Sequence, residues 1–236
     1  MLAGNNIIKK FAEQIALDSI DINLNPGEIN ALIGPSGAGK TTVLRALSLI
    51  DPPSNGKVII DNHQYAFPTS LNKDYEILWP KVTVVFQQLF LWPHLTLYDN
   101  IKMPVNQNDL DMDYAEELIR FFNLCDCVQR YPYKVSVGQR QRAAIVRAIS
   151  LRPKYLLLDE VTSALDVEQI KNLSQCLSRI CSEGCGVIIV THLLGFARHI
   201  ANRYSFIENG RILETGLIKN LDEPTTKRVE EFVSIM

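Results

Sequence analysis

The sequence predicts an α/β fold with a mostly parallel central sheet, to which an N-terminal antiparallel β subdomain and an inserted helical subdomain are attached. Short apolar runs recur along the chain, as expected of strands that are covered on both faces in a parallel sheet. Longer amphipathic stretches alternate with these runs, which is the order that builds a parallel sheet with helices on its faces. Between residues 92 and 135 the strand character weakens, and this segment predicts the helical insertion.

Each element of the predicted core is a continuous stretch of sequence. The strands of the central sheet are predicted at Ile29–Ile33, Val82–Phe86, Tyr155–Leu158 and Val187–Val190. The helices are predicted at Thr41–Leu49, Asp113–Phe122, Gln139–Leu151 and Val167–Ser182. The whole chain, residues 1–236, is therefore interpreted as one domain, with a helical sub-lobe of about residues 92–150 inserted into the α/β core.

Turn residues mark the antiparallel parts of the fold. Pro26-Gly27 and Asp61-Asn62 indicate turns, and the runs around them indicate antiparallel strands. Near the end of the chain, YSFIENGRILETG predicts a β-hairpin with Asn209-Gly210 at its tip.

Composition limits the class of protein. The chain has 236 residues, a hydrophobic content of 47% and a net charge of −2, which fit a globular domain and give no overall charge for nucleic-acid binding. No apolar run approaches the roughly 18–20 residues that span a bilayer, and the first residues lack the apolar core of a secretory signal. None of the five cysteines belongs to a C-x-x-C pair, so reduced thiols are expected rather than a metal site.

The segment GPSGAGKT matches the phosphate-binding pattern G-x-x-x-x-G-K-[ST] and lies between a predicted strand and a predicted helix. Its glycines let successive backbone N–H groups surround an anion at the start of a helix. Lys40 is predicted to reach the β- and γ-phosphates of ATP, and Thr41 to offer its hydroxyl to Mg²⁺. The alternative is a glycine-rich turn that matches by chance, which the flanking strand and helix argue against. The predicted ATP-binding residues of this segment are Gly34, Pro35, Ser36, Gly37, Ala38, Gly39, Lys40, Thr41 and Thr42.

A carboxylate pair follows another buried strand. The segment YLLLDE, Tyr155–Glu160, places Asp159 at the carboxyl end of that strand, where ligands bind in open α/β sheets. Asp159 is predicted to hold Mg²⁺, and Glu160 to polarise the attacking water. The alternative is a solvated Asp-Glu pair that ends a strand, and the phosphate-binding loop elsewhere in the chain favours the nucleotide site.

With these residues, the chain resembles the ATP-binding subunits of ABC transporters, which are built on a P-loop NTPase core. VVFQQ places Gln87 at the family's Q-loop glutamine, which contacts Mg²⁺ or the attacking water. SALD, Ser163–Asp166, resembles the D-loop, and His192 in THLL stands at the switch histidine beside the γ-phosphate. Phe11 corresponds to the aromatic residue that stacks on adenine, with simple packing as the alternative. The resemblance implies catalytic roles for Lys40, Gln87, Glu160 and His192, and adds Gln87 to Thr41 and Asp159 as residues around Mg²⁺.

VSVGQ, Val135–Gln139, resembles the family's signature motif, which is usually LSGGQ. In the family two chains pack head to tail, so that each ATP lies between the P-loop of one chain and the signature of the other. The resemblance implies that Ser136 bonds the γ-phosphate and that the N–H of Gly138 adds a contact at a helix N-terminus, with Gln139 beside them. The alternative is that Ser136 only caps the helix, and both roles can hold together.

Three residues depart from the family pattern. Val137 replaces the first signature glycine, Val161 stands where proline usually follows the catalytic glutamate, and Leu193 stands where an acidic residue often follows the histidine. If position 137 needs a positive φ, valine costs about 1–2 kcal/mol; if it needs an ordinary φ, the cost is steric, against the neighbouring chain. Because the chain's own catalytic residues are intact, we expect a slower or more tightly gated ATPase rather than an inactive one.

Two segments of the sequence indicate the subclass of transporter. LWPHLTLYDNI, Leu91–Ile101, resembles the segment after the Q-loop in importers of polar amino acids, and the C-terminal residues have the length typical of that subclass. The resemblance therefore implies amino-acid import driven by ATP with Mg²⁺, at the cytoplasmic face of the cytoplasmic membrane. The implied partners are a second ATPase chain, integral membrane permease subunits and a substrate-binding protein. A homodimer is expected, and Val137 leaves open a heterodimer with a chain that carries a regular signature.

Other functions stay open as alternatives. The first is the ATPase of an exporter or of a lipoprotein-release or division complex, which the membrane partner would distinguish from an importer. The second is a nucleic-acid-associated ABC ATPase, against which stand the slightly negative charge and the lack of a heptad tract or C-x-x-C pair. The third is a non-hydrolysing structural partner, against which Glu160 and His192 argue.

Overall fold

A computed structural model describes residues 1–68 and 78–235 of the chain. Within these ranges the strands are β1 (Leu2–Phe11), β2 (Gln14–Leu24), β3 (Ile29–Ile33), β4 (Asn55–Ile60), β5 (His63–Phe67), β6 (Val82–Val85), β7 (Tyr155–Asp159), β8 (Gly186–Val190), β9 (Arg203–Glu208) and β10 (Arg211–Leu217). The helices are α1 (Lys40–Leu47), α2 (Leu97–Gln107), α3 (Met112–Phe121), α4 (Val137–Ile149), α5 (Val167–Ser182), α6 (Leu194–Ile200) and α7 (Lys227–Ile235).

The central sheet has six strands in the order β10-β9-β3-β8-β7-β6. Its neighbouring strands are parallel except in the β9–β10 hairpin, whose tip is the predicted Asn209-Gly210. Every residue of β3, β7 and β8 is buried, and strands covered on both faces need apolar side chains along most of their length. This explains why the runs are almost continuously apolar, and the predicted mostly parallel sheet is confirmed.

The second sheet is antiparallel, with the order β2-β1-β4-β5. Apolar side chains from this sheet, from α1 and from the central sheet form one buried core, which includes Ile20 of β2, Leu44 of α1 and Leu157 of β7. The predicted N-terminal antiparallel subdomain is therefore confirmed. Its packing holds α1, and with it the end of the phosphate-binding loop, between the two sheets.

A second core lies on the other face of the central sheet. Successive residues of a strand point to opposite faces, so Leu156 and Leu158 of β7 belong to this core whereas Leu157 belongs to the first. Helices α2, α3 and α4, which lie between β6 and β7 in the chain, contribute to it through residues such as Ile101 and Leu118. The inserted helices are thus confirmed, whereas a division of the chain at about residues 92–150 stays a prediction.

The sequence prediction missed α2. Its buried residues Leu97, Ile101 and Val105 recur every four positions, which is a helical spacing. Pro104 lies inside the helix, and in a sequence it argues for a break because proline removes a backbone hydrogen bond. The Thr96 side chain caps the start of α2 by accepting a hydrogen bond from a backbone N–H of the first turn.

Helices α1, α3 and α4 begin within two residues of their predicted starts, and α5 has the predicted bounds. Helices α6 and α7 were not predicted from the sequence. The largest difference at a helix start is in α4, which begins at Val137 rather than at the predicted Gln139 because Ser136 caps it. The five cysteines are free thiols. Among the described residues, none of the helices combines the length and the apolar character needed to cross a membrane.

Candidate functional site

A cavity of about 650 Å³ lies at the carboxyl ends of β3, β7 and β8. These ends meet at one edge of the parallel sheet, which is where open α/β sheets bind ligands. The cavity is lined by Gln14, Ile15, Ala16, Ser36, Gly37, Gly39, Lys40, Thr41, Thr42, Gln87, Glu160, His192, Asn209 and Gly210. Most of the predicted P-loop residues, including Lys40, therefore line the same cavity as the predicted catalytic residues Gln87, Glu160 and His192.

Two glycines shape the phosphate-binding loop. Gly34 has φ 150°, and a Cβ atom there would lie 2.0 Å from the carbonyl oxygen of Ile207 in β9. Gly39 precedes α1 with φ 106°, and a Cβ atom there would lie 2.9 Å from the Leu17 side chain in β2. Both positions therefore need glycine, because a side chain would meet the neighbouring strands. The loop ends at the N-terminus of α1, where the helix dipole favours an anion.

Lys40 is buried and folds back over its own loop. Its Nζ atom donates hydrogen bonds to the carbonyl oxygens of Gly34 and Pro35, both at 2.8 Å. Burial lowers the pKa of Lys40, and the nearby carboxylates of Glu160 and Asp159 act in the opposite direction. Both hydrogen-bond partners recorded for this ammonium in the described part of the chain are carbonyl oxygens, and such a buried cation is suited to an anionic ligand because a phosphate would offset the cost of its burial.

Thr41 and Asp159 meet across the loop. The Thr41 hydroxyl donates to Oδ2 of Asp159 at 2.7 Å, which joins the first turn of α1 to the end of β7. Burial raises the pKa of Asp159, while the hydrogen bond from Thr41 and the charge of Lys40 lower it. A hydroxyl and a carboxylate that meet beside a phosphate-binding loop are the oxygen ligands that Mg²⁺ prefers, so this pair fits the ion.

Glu160 and His192 form a second pair. Nε2 of His192 lies 2.7 Å from Oε1 of Glu160. The backbone of Glu160 has φ 51°, and its N–H donates to the carbonyl oxygen of Val190 at the end of β8. The two side chains thus face each other at the ends of adjacent parallel strands, on the wall of the cavity that contains Lys40.

Gln87 and Phe11 differ in their relation to the cavity. Gln87 follows β6 by two residues and contributes to the cavity wall. Phe11 ends β1 outside that wall; its side chain is exposed, and the ring centroid lies 5.3 Å from Nζ of Lys9. Its cross-strand neighbour Gln14 does line the cavity. The stacking role of Phe11 on adenine stays a prediction.

Ser136, Gly138 and Gln139 lie outside the cavity, at the start of α4. Oγ of Ser136 accepts a hydrogen bond from the Gln139 N–H at 3.2 Å, and Oε1 of Gln139 accepts one from the Ser136 N–H at 2.9 Å. This reciprocal pair is a capping box, so Ser136 does cap the helix. The three residues make no part of the cavity that holds their own chain's P-loop, and their predicted contact with ATP stays a prediction.

The structure distinguishes the two central positions of VSVGQ. Val137 is the first residue of α4 and has ordinary helical backbone, so a strained positive φ does not apply to it. Its side chain is 55% exposed. Gly138 is packed, because a Cβ atom there would lie 2.7 Å from the carbonyl oxygen of Ala164 in the SALD segment. The glycine that the fold of this chain requires is therefore Gly138, and position 137 tolerates a valine within the monomer.

Several cavity residues were missed by the sequence analysis. Gln14, Ile15 and Ala16 come from β2, and Asn209 and Gly210 from the β9–β10 hairpin. The backbone N–H of Gly210 donates to the carbonyl oxygen of the P-loop residue Ala38 at 3.0 Å. The Asn-Gly pair was visible as a turn, but no spacing in the sequence connects it with a loop about 170 residues earlier.

The sequence profile described as "ABC transporter" matches residues 17–163, which is more than half of the chain. The chain belongs to the ABC transporter family. This ABC ATPase is 37% identical to the glutamine transport ATP-binding protein GlnQ of Escherichia coli (strain K12), with 99% of this chain and 98% of GlnQ covered. It is 36% identical to the arginine transport ATP-binding protein ArtM of Bacillus subtilis (strain 168), with the same coverage of both chains.

Solved structures match over nearly the same length. The ABC ATPase superposes on a dimeric post-hydrolysis state of an ATP-binding cassette bound to ADP and Pi, with a TM-score of 0.84 and 30% identity, covering 92% of this chain and 99% of that one. A dimeric bacterial ABC transporter cassette gives a TM-score of 0.83 at 31% identity and the same coverage. The predicted fold and the predicted ATP hydrolase activity, with ATP and Mg²⁺ as its ligands, are confirmed.

Proposed function

We propose that this ABC ATPase drives the import of a polar amino acid through membrane permease subunits. The observation that carries the proposal is the set of curated relatives that share its whole length. In addition to GlnQ and ArtM, the L-cystine transport system ATP-binding protein TcyN of Escherichia coli (strain K12) is 37% identical, with 97% of this chain covered. The Leu91–Ile101 segment, which resembles that of polar amino-acid importers, supports the same proposal.

In this proposal two chains enclose two ATP molecules, each between the P-loop of one chain and the VSVGQ segment of the other. The capped N-terminus of α4 presents Ser136 and the backbone of Gly138 toward the second chain's γ-phosphate, where the helix dipole favours negative charge. A substrate-binding protein delivers the amino acid from the far side of the membrane, and the ATPase chains work at the cytoplasmic face. A homodimer is the form proposed here.

The chain's own residues position the phosphates. Lys40, which bonds to the carbonyl oxygens of its loop, would bind the β- and γ-phosphate oxygens, and Thr41 and Asp159, which bond to each other, would hold Mg²⁺. Bound Mg²⁺ supplies positive charge that offsets the charge on the phosphate oxygens. Gln87 approaches the same region from the end of β6. Hydrolysis then depends mainly on positioning and charge stabilisation, which the side chains and backbone groups at this edge of the sheet provide.

Glu160 and His192 orient the attacking water. The water oxygen bonds to the γ-phosphorus, the bond from that phosphorus to the β,γ-bridging oxygen breaks, and ADP leaves, while the carboxylate of Glu160 accepts the proton of the water. His192 lies beside the γ-phosphate in this proposal and keeps Glu160 in place through their contact. Val137 lies at the N-terminus of α4, between Ser136 and Gly138, and its branched side chain is expected to crowd the opposing P-loop. The turnover of the assembled dimer is therefore expected to be slower than that of a cassette with glycine at this position.

The first experiment is recovery of the tagged chain from gently solubilised native membranes, with identification of the proteins that copurify. A small multi-span permease with this chain as the only ATPase supports the proposal, as does ATP-dependent uptake of radiolabelled glutamine, arginine or cystine by vesicles containing the recovered complex. A Lys40→Ala chain should recover the same permease but support no uptake. Recovery of a second ATPase chain with a regular signature would show that the assembly is a heterodimer rather than the proposed homodimer. Export of amino acids, or recovery of no membrane protein, would overturn the proposed import function.

A further inference from the structure

The segment that carries Gln87 is fastened to the helix that begins at the signature. We define the Gln87 segment as residues 87–92, which follow β6. Arg147 of α4 donates from Nη1 to the carbonyl oxygen of Phe90 at 3.0 Å and from Nη2 to that of Leu89 at 2.9 Å. Its guanidinium also lies 5.3 Å from the centroid of the Trp92 ring. One side chain thus contacts three residues of the segment.

The contacts of Arg147 are not those of an ordinary ion pair. Burial lowers the pKa of Arg147 to about 10, and within residues 1–68 and 78–235 its recorded partners are carbonyl oxygens and an aromatic ring rather than a carboxylate. Desolvating a guanidinium is costly unless hydrogen bonds replace the lost water. The Gln87 segment supplies these bonds, so the cation and the segment depend on each other for their arrangement.

The segment itself has a strained point. Phe90 has φ 47°, a left-handed conformation that bulky residues rarely adopt, and its side chain is 54% exposed. Its ring makes an edge contact with Phe86 at a centroid distance of 6.0 Å, and the guanidinium of Arg45 in α1 lies 5.3 Å from the Phe86 ring centroid. A strained backbone persists only where its surroundings hold it in place. Arg147 supplies such a restraint here, because it binds the carbonyl oxygens of Leu89 and Phe90.

The far end of the segment is fixed as well. Asn100 of α2 is fully buried; its Oδ1 accepts from the Trp92 N–H at 2.8 Å, and its Nδ2 donates to the Trp92 carbonyl oxygen at 3.1 Å. The segment is thus bound by Arg147 at Leu89 and Phe90 and by Asn100 at Trp92, and Gln87 lies two residues before the first of these contacts. Arg147 therefore governs how firmly Gln87 is presented to the cavity.

We propose that Arg147 is a positioning residue that fixes Gln87 relative to the signature helix, so that the start of α4 and the Gln87 side chain change position together. The inference rests on the proposed function, in which Gln87 and Ser136 serve two different ATP molecules. Ser136, which caps α4, and Arg147 are 11 residues apart, a distance of roughly 16 Å along one helix. Arg147 touches neither ATP nor Mg²⁺ in this scheme.

The test uses the two tryptophans of the chain, Trp79 and Trp92. In a full-length Trp79→Phe background, Trp92 is the only tryptophan and its emission reports the Arg147 contact directly. Arg147→Met should raise the exposure of Trp92 above its present 39%, abolish its response to ATP, and lower kcat for ATP hydrolysis about tenfold, because Gln87 is then poorly positioned. ATP affinity and KM should stay within about twofold of the parent, because the P-loop is untouched.

Two further variants keep the result interpretable. Arg147→Lys should restore part of kcat and of the Trp92 response, since an ammonium reaches one carbonyl but not two in a fork. Arg142→Met is the control, because Arg142 also lies on α4 and donates only to carbonyl oxygens outside the Gln87 segment among its recorded contacts, namely those of Phe122 and Asn123 after α3 and of Gly138 in its own helix. It should leave the Trp92 response intact and lower kcat by less than about twofold.

Two outcomes overturn the proposal. One is an Arg147→Met chain that keeps both kcat and the ATP response of Trp92; the other is an equal loss of kcat in Arg142→Met, which would indicate a general effect on folding. Neither outcome depends on the cargo, because both measurements need only ATP. A parent chain that hydrolyses ATP but supports no amino-acid uptake would refute the proposed function and leave the Arg147 result standing.

Discussion

The phosphate-binding loop, residues 34–42, and the signature segment, residues 135–139, differ in what surrounds them. The loop is enclosed by its own chain: Lys40 bonds to loop carbonyl oxygens, Thr41 bonds to Asp159, and Gly34 packs under β9. The signature segment is a capped helix start with an exposed Val137. The fold of the chain itself therefore restricts the phosphate-binding loop closely, whereas in the signature segment it restricts Gly138 and leaves Val137 free of such packing.

The largest effect that separates the two regions is expected from Glu160→Gln. The amide cannot accept the proton of the attacking water, so ATP hydrolysis should fall at least about 100-fold, while the P-loop still binds ATP. If the signature segment completes the site of a second chain, ATP should then hold the variant as a dimer in size-exclusion chromatography. Turnover within a few-fold of the parent would remove Glu160 from its catalytic role.

Gly138→Ala examines the packed part of the signature segment. The new Cβ would lie 2.7 Å from the carbonyl oxygen of Ala164, so the free energy of unfolding in urea should fall by about 1–3 kcal/mol. Gly195→Ala in α6 is the matched control, because a Cβ atom there meets nothing within 4 Å. Equal stability of the two variants would show that the SALD segment moves aside at little cost.

Val137→Gly examines the exposed part of the same segment. Removing the branched side chain should raise the turnover of the assembled ATPase about threefold, with a small change in unfolding free energy. Val167→Gly provides the control for stability, because Val167 is also the exposed first residue of a capped helix, α5. No change in turnover, or a loss, would contradict the expectation that Val137 slows the enzyme.

The smallest expected effect is a change of stability with pH, and it concerns the β9–β10 hairpin beside the phosphate-binding loop. Burial acts to raise the pKa of Glu214 in β10, but hydrogen bonds from the Tyr204 hydroxyl and from the N–H groups of Thr225 and Thr226 outweigh it and lower the pKa to about 2. Because the folded pKa lies below the ordinary value of 4.5, this stabilisation is present above pH 4.5 and is lost as the pH falls toward 2.

A thermal melt measured across that pH range checks the expectation. The melting temperature of the parent should decline as Glu214 becomes protonated, and Glu214→Gln should start lower at neutral pH and show a shallower decline. Identical pH profiles for the two proteins would mean that other carboxylates account for the acid sensitivity. The effect should leave the signature segment unchanged, since Glu214 braces the β9–β10 hairpin and the start of α7.

Continuous stretches of sequence predicted most of the fold. The buried strands β3, β7 and β8 were visible because strands covered on both faces are apolar along most of their length. Helix α2 was missed because Pro104 argues for a break, while the burial of Leu97 that favours the helix is a tertiary property. The start of α4 was placed two residues late, because the capping role of Ser136 depends on its hydrogen bonds rather than on apolar spacing.

The sequence by itself determined the phosphate-binding loop and the helix that follows the signature segment, because both are local structures made by consecutive residues. Only the tertiary structure decided which distant residues meet. It brought Thr41 to Asp159 across 118 positions, added Gly210 to the cavity, and left Phe11 outside its wall. It also separated Gly138, packed against Ala164, from the exposed Val137, because contacts between segments far apart in a chain leave no periodic trace in the sequence.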